Sequence, residues 1–217
     1  RIARRSRREF VEWTQRCTAL AVSAGTKPRV YVVPPLANTV RAYPENELIN
    51  LLNEARAGAV ALVFSPPADW NDLASRIEDT IKATSVYAPH AYHYTRLHPV
   101  FDGLPSRCLM FQPYRNVVSR TAFEETSDER IAGAITLPNE SDPAWFGEDI
   151  LVRRFGSGRI VFTHARILEH LGTDPVADRM YVNLLRHFGR RSVPGEITQP
   201  IHQTVLDWLR RERSERA

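Results

Sequence analysis

Residues 45–64 read ENELINLLNEARAGAVALVF, and this stretch decides the predicted fold. Its first part predicts a helix over 45–58, because apolar residues recur there at helical spacing and Gly58 follows as a typical C-terminal stop. These apolar residues are Leu48, Ile49, Leu51, Leu52 and Ala55. The run AVALVF at 59–64 is unbroken and apolar, which predicts a strand buried on both faces.

The residues on either side of this stretch extend the same alternation. RVYVV at 29–33 is a second apolar, β-branched run and predicts another buried strand. Residues 65–84 follow the run AVALVF and predict a helix that begins through prolines and Asp69. Residues 29–84 therefore predict strand, helix, strand and helix, which is the βαβ arrangement of an α/β domain with a mostly parallel sheet.

The rest of the chain predicts several further strands. Residues 87–105 are aromatic, proline-rich and irregular. Three runs separated by acidic or turn-rich loops predict strands, namely CLMFQPYRNVV (108–118), IAGAITL (131–137) and DILVRRF (149–155). Gly156 and Gly158 predict a tight turn between the last run and RIVFTH, so that these two strands form an antiparallel hairpin.

Residues 174–188, DPVADRMYVNLLRHF, predict the clearest helix of the chain. Asp174 is its expected N-cap, and Pro175 suits the first helical position. We expect three parts in total: a basic amphipathic helix over 1–24, an α/β domain over 25–190, and a linker with a final helix over 191–217.

The composition is that of a soluble globular protein. The chain has 217 residues, of which 43% are hydrophobic and 25% charged, and no apolar run approaches the ~20 residues that cross a membrane. No signal peptide is visible, which favours the cytoplasm. The chain begins without methionine, so we expect a processed or excised piece of a longer protein. The net charge of +4 comes mostly from arginines at the two ends, which argues against a nucleic-acid module.

The motifs of several enzyme classes are missing. The sequence has no G-x-S-x-G or G-x-C-x-G, no glycine-rich phosphate loop between a strand and a helix, and no H-E-x-x-H. Cys17 and Cys108 form neither a C-x-x-C pair nor a disulfide framework, and we expect buried or half-buried thiols. We therefore assign no catalytic residue and expect neither a cofactor nor a metal.

Three places stay open as ligand or interface candidates. His164 and Arg166 follow the predicted strand RIVFTH, at the edge where α/β sheets place ligands, although structural hydrogen bonding is the alternative. Trp145 precedes Glu148 and Asp149, which suggests either a sugar platform or a packed tryptophan in a solvated loop. The third place holds three imidazoles within nine residues, which suggests either a metal-binding or hydrolytic loop or simple aromatic packing: His90, His93 and His98.

Two strings, LHPVFDGLP (97–105) and FGSGRIVFTHARILEHLGTDPVADRMYVNLLRHF (155–188), carry a family resemblance. Together they resemble the amidotransferase-like domain near the C-terminus of glycoside hydrolases related to family 2, which is similar to the β-galactosidase trimerisation domain. The residues 29–84 suit the opening units of that domain, so the resemblance covers about 29–188.

This resemblance implies a flavodoxin-like, three-layer α/β sandwich, similar to class I amidotransferases but without their nucleophile. It implies a non-catalytic accessory domain or subunit that supports assembly, oligomerisation or the rim of a carbohydrate site. The partners implied are the catalytic remainder of a glycosidase, a second copy of the chain and carbohydrate. The motif residues receive structural roles in capping, pairing and loop anchoring: Asp174, Pro175, Asp178, Arg179 and Asn183.

Overall fold

The computed structural model describes residues 30–35, 45–138 and 143–191. In chain order the strands are β1 (Val30–Val33), β2 (Val60–Phe64), β3 (Ser85–Tyr87), β4 (Tyr92–Thr95), β5 (Thr121–Phe123), β6 (Ala132–Thr136), β7 (Trp145–Glu148), β8 (Ile150–Phe155) and β9 (Gly158–Thr163). The α-helices are α1 (Glu45–Arg56), α2 (Trp70–Ile77), α3 (Ile167–His170) and α4 (Pro175–Arg191). The helix predicted over 1–24 and the final helix predicted after the linker lie outside the described residues.

Four strands form the first sheet, sheet A, in the order β1-β2-β9-β8. The strands β1, β2 and β9 run parallel, and β8 pairs with β9 in the antiparallel direction. These pairings confirm the predicted βαβ unit and the hairpin around Gly156. The prediction of one mostly parallel sheet is confirmed only in part. In sheet A, β8 runs antiparallel to β9, and a second sheet, which was not predicted, is entirely antiparallel.

Helices pack on both faces of sheet A because successive strand residues point to opposite sides. Val60, Leu62 and Phe64 of β2 point to the face that packs against α4. The intervening residues, Ala61 and Val63, point to the opposite face, which packs against α1 and α2. All five β2 residues are buried, as predicted, whereas the β1 residues are only partly buried because β1 is the edge strand of the described sheet.

The helix predicted over 65–84 is shorter in the structure. Helix α2 ends at Ile77, Glu78 is extended with φ −169° and ψ 115°, and a 3₁₀ turn follows at Asp79–Ile81. The indole nitrogen of buried Trp70 donates to the carbonyl oxygen of Ile81 at 2.8 Å. This bond requires the chain to fold back toward the start of α2, so a continuous helix cannot form.

The second sheet, sheet B, has five antiparallel strands in the order β3-β5-β7-β6-β4. Only β6 matches a predicted strand. The other four strands have three or four residues each, and such short runs carry too little apolar alternation to be recognised.

The strand predicted over 108–118 is wrong. This segment makes a single isolated bridge between Leu109 and Tyr94, and a 3₁₀ turn follows at Gln112–Tyr114. Part of its apolar surface is still buried, since Met110, Tyr114 and Val117 are buried, whereas Leu109 and Phe111 are exposed. The buried residues insert into the core singly from an irregular segment that contains Pro113, and this burial accounts for the strand-like apolar run.

Candidate functional site

The carboxyl ends of β1, β2 and β9 meet at one edge of sheet A, since these strands are parallel. Ser65 follows β2 with φ 56°, a left-handed conformation in a residue other than glycine, and its amide donates to the carbonyl oxygen of Thr163 at 2.8 Å. His164 follows β9 at the same edge. A serine with positive φ directly after a strand shares this backbone feature with a nucleophile turn, but here Pro66 and Pro67 follow and the next helix begins only at Trp70. No glycine surrounds Ser65 in the sequence, so this position does not show the motif G-x-S-x-G.

His164 contacts a second serine of the same edge. Its Nε2 atom lies 2.8 Å from Oγ of Ser85, which is exposed on β3, and its ring stacks on Phe123 with centroids 4.7 Å apart. Burial lowers the pKa of His164 to about 4, so the imidazole is neutral near pH 7. The histidine is therefore held by one hydrogen bond and one stacked ring, and a neutral imidazole beside a hydroxyl has the form of a serine–histidine pair.

Arg166 is exposed and lines a cleft beside this edge. Its Nε donates to Glu169 Oε2 at 3.0 Å, and the cleft, of about 940 Å³, is also lined by Arg115 and Arg120. We call this feature the arginine cleft, defined by Arg115, Arg120 and Arg166. Arg115 was not among the predicted site residues. The sequence placed it inside a strand over 108–118, where nothing indicated that it would line a cleft.

The motif residues of helix α4 are all structural. Asp174 caps the helix, since its Oδ1 accepts from the amide of Val176 at 2.7 Å, and its Oδ2 accepts from Asn116 Nδ2 at 2.7 Å. Burial alone would raise the pKa of Asp174, but the hydrogen bonds from Asn116 and the backbone outweigh it and lower the pKa. Pro175 occupies the first position of the helix, as predicted.

The remaining motif residues anchor loops. Asp178 Oδ1 accepts from the amide of Gly172 at 2.6 Å. The guanidinium of Arg179 lies over Gly103, with atoms 3.5 Å from where a Cβ would stand. Asn183 donates to the carbonyl oxygens of Val100 and Asp102, both at 3.0 Å.

The structure does not bring His90, His93 and His98 together as one site. His90 is exposed in the turn before β4. His93 lies on β4, and its Nδ1 is 2.8 Å from Oδ1 of buried Asp149. His98 caps the 3₁₀ turn Pro99–Phe101 instead. His93 and His98 therefore have different partners, and His90 is exposed apart from both.

His98 belongs to a different cluster, with Glu129 and His187. Both histidine Nε2 atoms lie 2.8 Å from Glu129 Oε1, and the three potential ligand atoms lie within 4.8 Å of one another. However, Nδ1 of His98 accepts from the amide of Val100 at 3.2 Å, so the ring proton must be on Nε2. A metal needs the Nε2 lone pair. The cluster therefore suits hydrogen bonding better than metal coordination.

Trp145 is half-buried on β7, with its ring against Gly147, and the neighbouring Phe146 is the exposed aromatic side chain at 64%. Glu148 and Asp149 are buried instead of solvated, contrary to the loop interpretation. Burial raises the pKa of Glu148 to about 7 against the lowering effect of Arg96 and Arg130, and it also raises the pKa of Asp149. These two carboxyls form a buried acidic pair behind a small cavity of about 230 Å³ that Glu148 lines.

Cys108 is half-buried, as predicted for the thiols, and Cys17 lies outside the described residues. In the described part of the chain, no helix combines the length and the apolar character needed to cross a membrane. Comparison of the sequence with protein-family models and with curated proteins gives no match.

Proposed function

We propose that this chain is a non-catalytic, amidotransferase-like accessory domain or subunit of a glycoside hydrolase. In this role it supports assembly of the enzyme, or it forms part of the rim of the carbohydrate site. The proposal rests on the family resemblance of residues 97–105 and 155–188 and on the contacts that these two segments make with each other in the structure.

One observation carries the proposal: Asn183 ties the two resembling strings together. Its amide, on α4, donates to the backbone of Val100 and Asp102 in the string LHPVFDGLP. The same string meets α4 again where the Arg179 guanidinium covers Gly103. The residues that mark the resemblance thus build the fold, which is the role expected of them in a domain without a reaction of its own, since fold and activity are separate.

Two tests apply to the proposal: the domains encoded by the whole gene, and the activity and oligomeric state of the enzyme that the gene encodes. We expect a (β/α)8 barrel with paired catalytic carboxylates in the same polypeptide or in a partner subunit. Removal of residues 30–191 from the whole enzyme should change its oligomeric state or raise KM, while the isolated chain should not hydrolyse aryl glycosides. Hydrolysis by the isolated chain, or the absence of a glycosidase in the same gene or operon, would contradict the proposal.

A second candidate function, a small-molecule hydrolase, is favoured by the edge of sheet A. Ser65 shares the positive φ of a nucleophile turn, and neutral His164 lies 2.8 Å from Ser85. A fluorophosphonate probe distinguishes the two functions, because it labels only activated serines. We expect no labelling; labelling that disappears in Ser65→Ala or in Ser85→Ala would establish the hydrolase instead.

A further inference from the structure

The arginine cleft has a positive charge that the described residues do not neutralise. Arg115 and Arg120 are exposed and make no ion pair within the described part of the chain. Arg166 pairs with Glu169, but the two side chains are 47% and 45% exposed, and such a pair is weak in water. Among the described residues that line the cleft, none is acidic. The cleft therefore attracts anions.

The backbone that carries these arginines is held in place from the core. Tyr114 and Val117, on either side of Arg115, are fully buried, and the Tyr114 hydroxyl donates to the carbonyl oxygen of Pro105. The amide of Arg166 donates to the carbonyl oxygen of Val117 at 2.8 Å, which joins the two walls of the cleft. The backbone of the cleft is therefore ordered before a ligand binds, so binding carries no free-energy cost for ordering it.

The chemistry of the cleft suits an oxyanion, such as a carboxylate, on a large, partly apolar ligand. Guanidinium groups bind carboxylates, and equally phosphates, through two parallel hydrogen bonds. Phe111, which is 59% exposed, and Val118 add apolar surface to the same cleft. The volume of about 940 Å³ is near the upper end of the range for ligand sites, roughly 300–1,000 Å³, so it suits several linked rings better than one small anion.

We infer that the arginine cleft binds an acidic oligosaccharide through the carboxylates of its uronic acid units. This inference rests on the proposed function, which supplies carbohydrate as the class of ligand, and the cleft supplies the acidic substituent. A nucleic acid is the weaker choice, because its binding is typically spread over many phosphates, whereas the cleft offers three arginines.

The test compares sugars that differ only in the carboxylate. The full 217-residue chain is titrated by calorimetry at low salt with β-1,4-mannuronate tetrasaccharide and with mannotetraose, and then with β-1,4-glucuronate tetrasaccharide and with cellotetraose. We expect at least one acidic sugar to bind at least about tenfold more tightly than its neutral counterpart, and this preference to shrink with added salt.

Two double variants locate the binding. Arg115→Gln/Arg120→Gln should weaken binding of the acidic sugar by about tenfold or more. Arg154→Gln/Arg186→Gln removes the same charge from exposed residues outside the cleft and should leave binding unchanged. Thermal melting of both variants checks that they fold.

Four results would overturn the inference: equal binding of acidic and neutral sugars, no binding of either acidic sugar at millimolar concentration, binding of an acidic sugar that both double variants weaken alike, or tighter binding of a DNA duplex that only Arg115→Gln/Arg120→Gln weakens. None of these results decides the proposed function, which depends on the gene and on the activity of the whole enzyme. Conversely, a measured binding of acidic sugars by the cleft would remain valid even if the chain proved not to belong to a glycosidase.

Discussion

The side-chain nitrogen of Asn183 lies 3.0 Å from the carbonyl oxygen of Asp102, although 81 residues separate them in the chain. A second carbonyl, that of Val100, accepts from the same nitrogen, and Asn183 is only 2% exposed. One buried amide therefore donates to two carbonyl oxygens of the loop LHPVFDGLP and fixes that loop against helix α4.

The first prediction concerns this amide. Asn183→Leu should lower the free energy of unfolding by about 2–4 kcal/mol, because two carbonyl oxygens lose their donor in a buried place. Urea denaturation followed by circular dichroism measures the change. Val182→Ala is the matched control, since the neighbouring Val182 is 45% exposed and should cost little. A loss for Asn183→Leu no greater than that of the control would contradict the anchoring role.

The glycines of the hairpin and of α4 give a second, paired prediction. A Cβ on Gly158 would lie 2.1 Å from the carbonyl oxygens of Ala55 and Ala59, so Gly158→Ala must displace backbone and should destabilise by about 3 kcal/mol or more. Gly189 lies inside α4, and a Cβ there would meet Val30 at an ordinary 3.6 Å. Gly189→Ala should therefore stabilise by about 0.5–1 kcal/mol. Melting temperatures that move in the same direction would contradict this account.

The parts of the fold that the sequence predicts are those in which a continuous apolar run or a long helical pattern covers a buried face. The runs at β2 and β8 and the helix α4 have this property, and each was identified correctly, as was the helix cap Asp174. The hairpin was predicted from Gly156 and Gly158, and in the structure Gly156 adopts φ 57°, a conformation that glycine reaches without strain.

Sheet B and most of the candidate site depend on contacts that a single sequence does not display. Ser85 and His164 come from different sheets and are 79 residues apart. Arg120 and Arg166 become neighbours only because the irregular segment around Val117 is tied to the end of β9. His164 and Arg166 are candidates from their position after a strand alone, whereas their contacts are visible only in the fold.

A third prediction follows from the raised pKa of Glu148. Burial keeps its proton up to about pH 7 in the folded chain, whereas an unfolded chain releases it near pH 4.5. The contribution of Glu148 to the free energy of unfolding is therefore largest below pH 4.5 and falls as the pH rises to about 7, by roughly 3 kcal/mol in all.

Urea denaturation of the wild type and Glu148→Gln at pH 5, 6, 7 and 8 measures this contribution. Glu124→Gln is the control, because Glu124 lines the same small cavity but is exposed. A stability difference between wild type and Glu148→Gln that does not change with pH would show that Glu148 is ionised throughout this range.

His164 gives a fourth prediction with the opposite sign. Its pKa is lowered to about 4 from an ordinary 6.5, so the unfolded chain takes up a proton in this interval and the folded chain does not. The contribution of neutral His164 is fully present above pH 6.5 and is lost as the pH falls toward 4. Ring carbon signals in a nuclear magnetic resonance titration should stay those of neutral imidazole down to about pH 4. A midpoint near 6.5 would show that the ring is solvated and not held on Phe123.

The last prediction concerns metal removal and the cluster of His98, Glu129 and His187. Because His98 Nδ1 accepts from the amide of Val100, its Nε2 carries the proton and donates to Glu129. We therefore expect that dialysis against a chelator leaves the melting temperature unchanged. Glu129→Leu, by contrast, should cost about 2 kcal/mol or more, since two buried imidazole N–H groups lose an acceptor. One equivalent of zinc in the purified protein, lost in His187→Ala, would contradict this assignment and make the cluster a metal site.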